Sequence, residues 1–247
     1  MARPREFDTD KALSRTMRVF WEQGYRASTL ADLMKAADVQ KQSLYCAFGD
    51  KRSLFLKSLE LYRNQVLSQV RDLISEADSP LEGIASVMRY ATQPPEPKNR
   101  PSGCLMANTA LELGVSDPDV AAEVKRLFRG FERILTGAVK KGQERGEITT
   151  RFDSATIGQS LVNTINGFRI LANTGASHQQ LRAVGDMWIQ GSSLPATRAQ
   201  PAGLSGRNRT LEARSRPGAG AIQAGSVRVP AAGGIRHRLS GGVGLVD

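Results

Sequence analysis

Apolar residues recur every three or four positions along most of this chain, the spacing that gathers them on one face of an α-helix. Leu13, Met17, Phe20 and Trp21 form the first such stripe and predict a helix that ends at Gly24. Thr29, with Asp32 three residues on, predicts a capped short helix carrying Leu30, Leu33 and Met34. A third helix is expected over about 40–47, and Asp50 caps a long fourth striped by Phe55, Leu59, Tyr62, Val66, Val70 and Leu73. Ser79-Pro80-Leu81-Glu82 opens the next, with proline where a missing N–H costs nothing, and Pro94-Pro95 stops it. After the loop PPEPKNRPS a helix restarts near Gly103. Asp117-Pro118 opens a long one marked by Val120, Val124, Leu127, Phe131, Ile134 and Ala138, closing near Gly146. Asp153 caps a helix with Ile157, Leu161, Ile165 and Phe168; Ser177 with Gln180 caps the last, with Leu181, Val184 and Trp188. The pattern predicts nine helices and no strand, an all-α fold.

Near Ser192 the pattern stops. Residues 195–247 contain no Phe, Tyr or Trp and are rich in Gly, Ala, Arg and Pro. Such a segment buries too little apolar surface to offset its backbone entropy, so a disordered tail is expected. The net charge of the 247 residues is +10, but eight arginines against Glu212 and Asp247 place +6 of it in this tail and leave +4 for the remainder. Total charge is therefore a weak pointer to nucleic acid. Two cysteines and two histidines, far apart, support neither a disulfide framework nor a zinc cluster. There is no long apolar run, and the opening MARPREFDTD is too polar for a secretory signal, so a cytoplasmic location away from membranes is expected. The chain has no phosphate-cradling, dinucleotide-binding or zinc-protease motif, and His178 and His237 sit in a helix cap and the tail. Neither enzyme activity nor a cofactor is expected.

The most informative stretch is TLADLMKAADVQKQSLYCAFGDK, from Thr29 to Lys51. Two short helices flank a tight turn at Ala37-Asp38-Val39, the layout of a helix-turn-helix. Leu33, Val39, Leu44 and Phe48 point inward in this reading and set the angle between the helices. Lys41, Gln42, Ser43 and Tyr45 then face outward; lysine and glutamine reach base edges, while hydroxyls and ammonium groups suit phosphate oxygens.

From about Phe7 to Tyr62 the chain resembles the DNA-binding domain of the TetR/AcrR family of bacterial transcriptional regulators. FWEQGYRASTL, LADLMKAADV and KQSLYCAFGDKRSLF carry the likeness, and nine helices fit the family plan over about residues 5–192. GCLMANTALELG followed by SDPDVAAEV further resembles one subgroup's regulatory domain. The resemblance implies a DNA-binding helix-turn-helix domain over 1–50 and a helical regulatory and dimerisation domain over 51–193, and excludes the tail over 194–247 that the composition marks. It implies base contacts from Gln40, Lys41 and Gln42, and phosphate contacts from Thr29, Ser43, Tyr45 and Lys51. Two positions depart from the family pattern: Gln40 is a poorer helix cap than the usual Ser or Thr, and Cys46-Ala47 replace an aromatic and a histidine. Arg3 and Arg5 precede the first helix, as minor-groove arms do elsewhere, or form a solvated terminus.

One short recognition helix reads too few bases, so two copies are expected on a palindromic double-stranded operator. In the family the last two helices pair in a four-helix bundle; here Leu161, Ile165, Phe168, Leu181, Val184 and Trp188 are the interface candidates, some of which must serve the chain's own core. The middle helices enclose an effector pocket. Cys104 follows Ser102-Gly103 at a helix start near Lys98 and Arg100, and is read as a sensor of oxidants or electrophiles, or else as a small buried pocket residue. Asn108, one turn on, is expected to face the same cavity. The expected function is a homodimeric repressor released from its operator by a small molecule or electrophile. The alternative is non-specific nucleic-acid binding through the Arg-rich tail.

Overall fold

Most of the helices begin where a side chain satisfies backbone N–H groups that have no preceding turn. The computed structural model describes residues 7–93 and 103–193, and among these there are nine α-helices: α1 (Thr9–Ala27), α2 (Leu30–Ala37), α3 (Lys41–Phe48), α4 (Lys51–Ser75), α5 (Pro80–Thr92), α6 (Leu105–Leu113), α7 (Pro118–Glu144), α8 (Ser154–Asn173) and α9 (His178–Ser192). The tail, Arg3 and Arg5, and Lys98, Arg100 and Ser102 beside Cys104, lie outside the described residues. Asp8, Thr29, Asp50, Ser79, Asp117, Asp153 and Ser177 accept from backbone N–H groups of the helices they precede. Two helices start without such a side-chain bond, α3 at Gln40 and α6 at Cys104.

The first helix departs from expectation. It continues to Ala27 across a break at Gly24, where φ is +81°. The extra turn is held from a distance by a carboxylate on α6, which no local pattern announces.

The buried apolar side chains form one cluster from Ala12 to Leu181. In its lower part Phe20 meets Phe55 edge-on at 4.9 Å, and Trp21 meets Tyr62 edge-on at the same distance. Rings in this arrangement gain quadrupolar attraction beyond their burial. Higher up, α7 and α8 pack together so closely that a Cβ on Gly158 would lie 2.3 Å from Thr136 Oγ1. An isolated antiparallel bridge pairs Ile148 with Ser193, and Thr149 N–H donates to Ser192 C=O at 2.9 Å, so the end of α9 is pinned to the α7–α8 connection.

Candidate nucleic-acid interface

The second and third helices present a small outward face because their inward face is fully committed. Leu33 and Leu44 are inaccessible to solvent and Ala37 and Phe48 are buried. Phe48 also meets Phe7 edge-on at 6.4 Å. Between the helices, Asp38 adopts the left-handed conformation (φ 58°), which a short polar side chain tolerates. Val39 N–H returns to Met34 C=O at 3.2 Å and closes the turn.

On the free face of α3, Lys41 and Gln42 are exposed and Ser43 and Tyr45 half-buried; Gln40 is exposed just before the helix. The Lys41 ammonium lies 5.7 Å from the centre of the Tyr45 ring, so the aromatic face supports the lysine at the helix start. Cys46 is exposed beside them. The residues read from the sequence as base and backbone contacts on α3 thus share one accessible surface.

Thr29 stands at the start of α2 in a reciprocal cap. Its hydroxyl oxygen accepts from Asp32 N–H at 3.1 Å, and the Asp32 carboxylate accepts from Thr29 N–H at 3.0 Å. The Thr29 hydroxyl also donates to that carboxylate, at 2.6 Å, and holds the Asp32 carboxyl below the usual carboxylate range. Lys51 opens α4, where Asp50 accepts from Ser53 N–H at 2.7 Å. The Lys51 ammonium sits 4.6 Å over the ring of Tyr25, which packs in turn on Phe55 with centroids 4.8 Å apart.

Two contacts near this unit could not be read from local sequence. Arg52 forks onto Asp117, at 3.0 and 2.8 Å, and reaches Asp119 at 2.7 Å, tying the start of α4 to the start of α7. The two carboxylates raise the Arg52 pKa, and the guanidinium holds the Asp117 carboxyl below its ordinary range. Glu112, at the end of α6, accepts from the backbone N–H groups of Tyr25 and Arg26. These partners are far apart in the chain, which is why periodicity and capping patterns missed them.

The regulatory candidates separate. Cys104 is buried and its sulfur accepts from the Tyr62 hydroxyl at 3.4 Å, whereas Asn108 is exposed. A single turn of helix joins them, Asn108 N–H donating to Cys104 C=O at 3.1 Å, but their side chains do not meet in one cavity. Of the six interface candidates, Leu161, Ile165, Phe168 and Leu181 are buried within the protomer. They fill the space between α8, α9 and the rest of the bundle rather than offering surface. Val184 is 46% exposed and Trp188 half-buried. Leu171 and Met187, which the same two helices also offer from the sequence, are exposed, as is Ile170. Among the described residues, no group of His, Cys, Asp and Glu could hold a metal ion, and no helix is long and apolar enough to cross a membrane.

Comparison with known proteins adds to this geometry. Residues 12–57 match the family described as bacterial regulatory proteins, tetR family, and residues 80–188 match the tetracyclin repressor-like C-terminal domain. The HTH-type transcriptional repressor ComR of Escherichia coli K12 is 32% identical over 193 residues, covering 78% of this chain and 90% of ComR. The uncharacterized HTH-type transcriptional regulator YezE of Bacillus subtilis 168 is 29% identical over 148 residues, 60% of this chain and 76% of YezE. Among solved structures, a cysteine mutant of the TetR family transcriptional regulator CifR, complexed with 26-bp double-strand operator DNA, superposes with a TM-score of 0.67 at 28% identity. That match spans 77% of this chain and all of the CifR chain. A recognition helix anchored by Leu44 and Phe48, an all-helical body beyond it, and a likeness to ComR along nearly its whole length agree: this chain belongs to the TetR family of bacterial transcriptional regulators.

Proposed function

We propose that the chain acts in the cytoplasm as a homodimeric repressor that occupies a palindromic operator and leaves it when a small-molecule or electrophilic effector binds. One observation carries the reading: α3 is locked by Leu44 and Phe48 while Lys41 and Gln42 remain in solvent, so a rigid helix presents base-reading side chains to the major groove. Gln40, Lys41 and Gln42 contact base edges. Ser43, Tyr45 and Lys51, and Thr29 at the capped N-terminus of α2, contact phosphates. Residues 1–50 read DNA and residues 51–193 carry dimerisation and effector response. The names of ComR, a repressor, and of CifR, complexed with operator DNA, support the direction of the effect.

The dimer face in this reading is the exposed apolar surface of α8 and α9: Val184 and Trp188, joined by Ile170, Leu171 and Met187. Cys104 senses the effector from the start of α6. Asn108 contacts the effector only if that ligand reaches the exposed side of α6.

Selection of bound duplexes from a random library, with the chain ended after Ser193, tests the proposal. Enrichment of a palindrome whose half-sites lie about 34–36 Å apart, or a multiple of that, supports it. Absence of any enriched sequence defeats it, and duplex binding that disappears only with the tail returns the non-specific alternative.

A further inference from the structure

We infer that Glu112 is a positioning residue for operator binding: from α6 it fixes the break in α1 and, through it, the phosphate-contacting residues Thr29 and Lys51. The inference rests on the operator-binding reading above, but its geometry is independent of it.

At Gly24 the first helix turns out of register, with φ +81° and ψ 171°. Glu112 Oε2 accepts from Tyr25 N–H at 2.9 Å and Oε1 accepts from Arg26 N–H at 2.7 Å. One carboxylate therefore takes two successive N–H groups with charge-assisted bonds, which are shorter and stronger than neutral ones. The Arg26 guanidinium donates to the Glu112 C=O at 3.5 Å. The fit requires glycine at the break, because a Cβ on Gly24 would stand 2.9 Å from Oε2 in a conformation that L-residues rarely adopt.

Both phosphate candidates hang on this grip. Tyr25 is the ring beneath the Lys51 ammonium, so fixing its backbone fixes the platform that orients the lysine. Downstream, the buried Ser28 hydroxyl donates to Gly24 C=O at 2.6 Å, and the next residue is Thr29, the cap of α2. Arg52 makes the matching connection at the start of α4, through Asp117 and Asp119. The α6–α7 corner thus holds the DNA-reading unit at two points. Glu112 itself touches only the first, and its carboxylate is spent on backbone groups rather than on DNA.

The test uses the full-length chain, E112A and E112Q, and the selected operator. Amide exchange at Tyr25 and Arg26 should accelerate in E112A. Operator affinity should fall about tenfold, within the ordinary range of coupling between sites. The salt slope of log K should become shallower by about one, the signature of one lost phosphate contact. Base preference should not change, because α3 is held by its own core. E112Q keeps an acceptor without the charge and should fall between. A merely structural role would lower thermal stability and the active fraction, yet leave the salt slope of the folded protein alone. Folded E112A with wild-type affinity and slope overturns the positioning role; should E112A not fold, E112Q is read by the same two measurements. A wild type that selects no duplex overturns the operator reading and this role together, so the two failures are told apart.

Discussion

The Tyr62 hydroxyl donates to the Cys104 sulfur across 3.4 Å in the closed interior between α4 and the start of α6. A thiol placed there cannot be alkylated without forcing Tyr62 aside. If Cys104 is the sensor, N-ethylmaleimide releases C46S, which lacks the exposed thiol on α3, from its operator while C46S/C104S stays bound, as judged by fluorescence anisotropy. Equal release of the two proteins would remove Cys104 from the proposed signal.

Lys51 and Gln42 should fail differently. K51A is expected to weaken binding to every duplex alike and to lower the salt slope by about one, because an ammonium on a phosphate reads charge and not sequence. Q42A should instead flatten the preference at one base pair per half-site, by about 1–3 kcal/mol where the contact is bidentate. Binding isotherms against single-base operator variants separate the two, and an unchanged preference in Q42A assigns the base contact elsewhere.

The two apolar faces of α8 and α9 can be separated by substitution. Phe168 is buried within the protomer, so F168A should cost about 3–5 kcal/mol of folding stability. Met187 is 64% exposed, and M187D should leave the protomer folded, with an unchanged helical circular-dichroism spectrum. In the proposed dimer the same variant halves the molecular mass measured by light scattering and removes most operator affinity. A dimeric M187D with full affinity would place the interface on another surface.

Acid should loosen the helix starts. Asp50 and Asp153 accept backbone N–H bonds, from Ser53 and Thr156, that hold their carboxyls below the ordinary range; Asp117 is lowered chiefly by Arg52. Groups lowered in the folded state bind protons more readily when unfolded. Their contribution is present above the ordinary carboxylate range and lost as pH falls through the folded-state values. The melting temperature should therefore hold steady near neutrality and drop below about pH 4. D153N keeps a capping acceptor and loses the titration, so its curve should fall less steeply; a parallel curve would remove Asp153 as a source.

The helix starts were legible because capping is local. Thr29 with Asp32, Asp50, Asp117 before Pro118, and Ser177 with Gln180 all perform the role that their spacing announces. The recognition helix was legible for a similar reason, since Leu44 and Phe48 had to face inward if Lys41 and Gln42 faced out. What escaped depended on partners distant in the chain. Gly24 reads as a helix end until Glu112 supplies acceptors for one more turn, and Arg52 shows no preference for Asp117 in sequence. Helices α8 and α9 escaped for another reason: both carry apolar residues on more than one face, and periodicity cannot say which face the chain keeps for itself. Leu161 and Leu181 lie in the core while Leu171 and Val184 lie outside it.

The edge-on contact of Trp21 with Tyr62 gives the molecule an internal optical gauge. Trp21 is one of two tryptophans in the chain, and Tyr62 touches both its ring and the Cys104 sulfur. In the sensing role proposed for Cys104, modification of the thiol displaces Tyr62 and is expected to change Trp21 emission, which W188F would isolate. On that reading, the arrival of an electrophile would be timed in the unlabelled protein, apart from release of the operator.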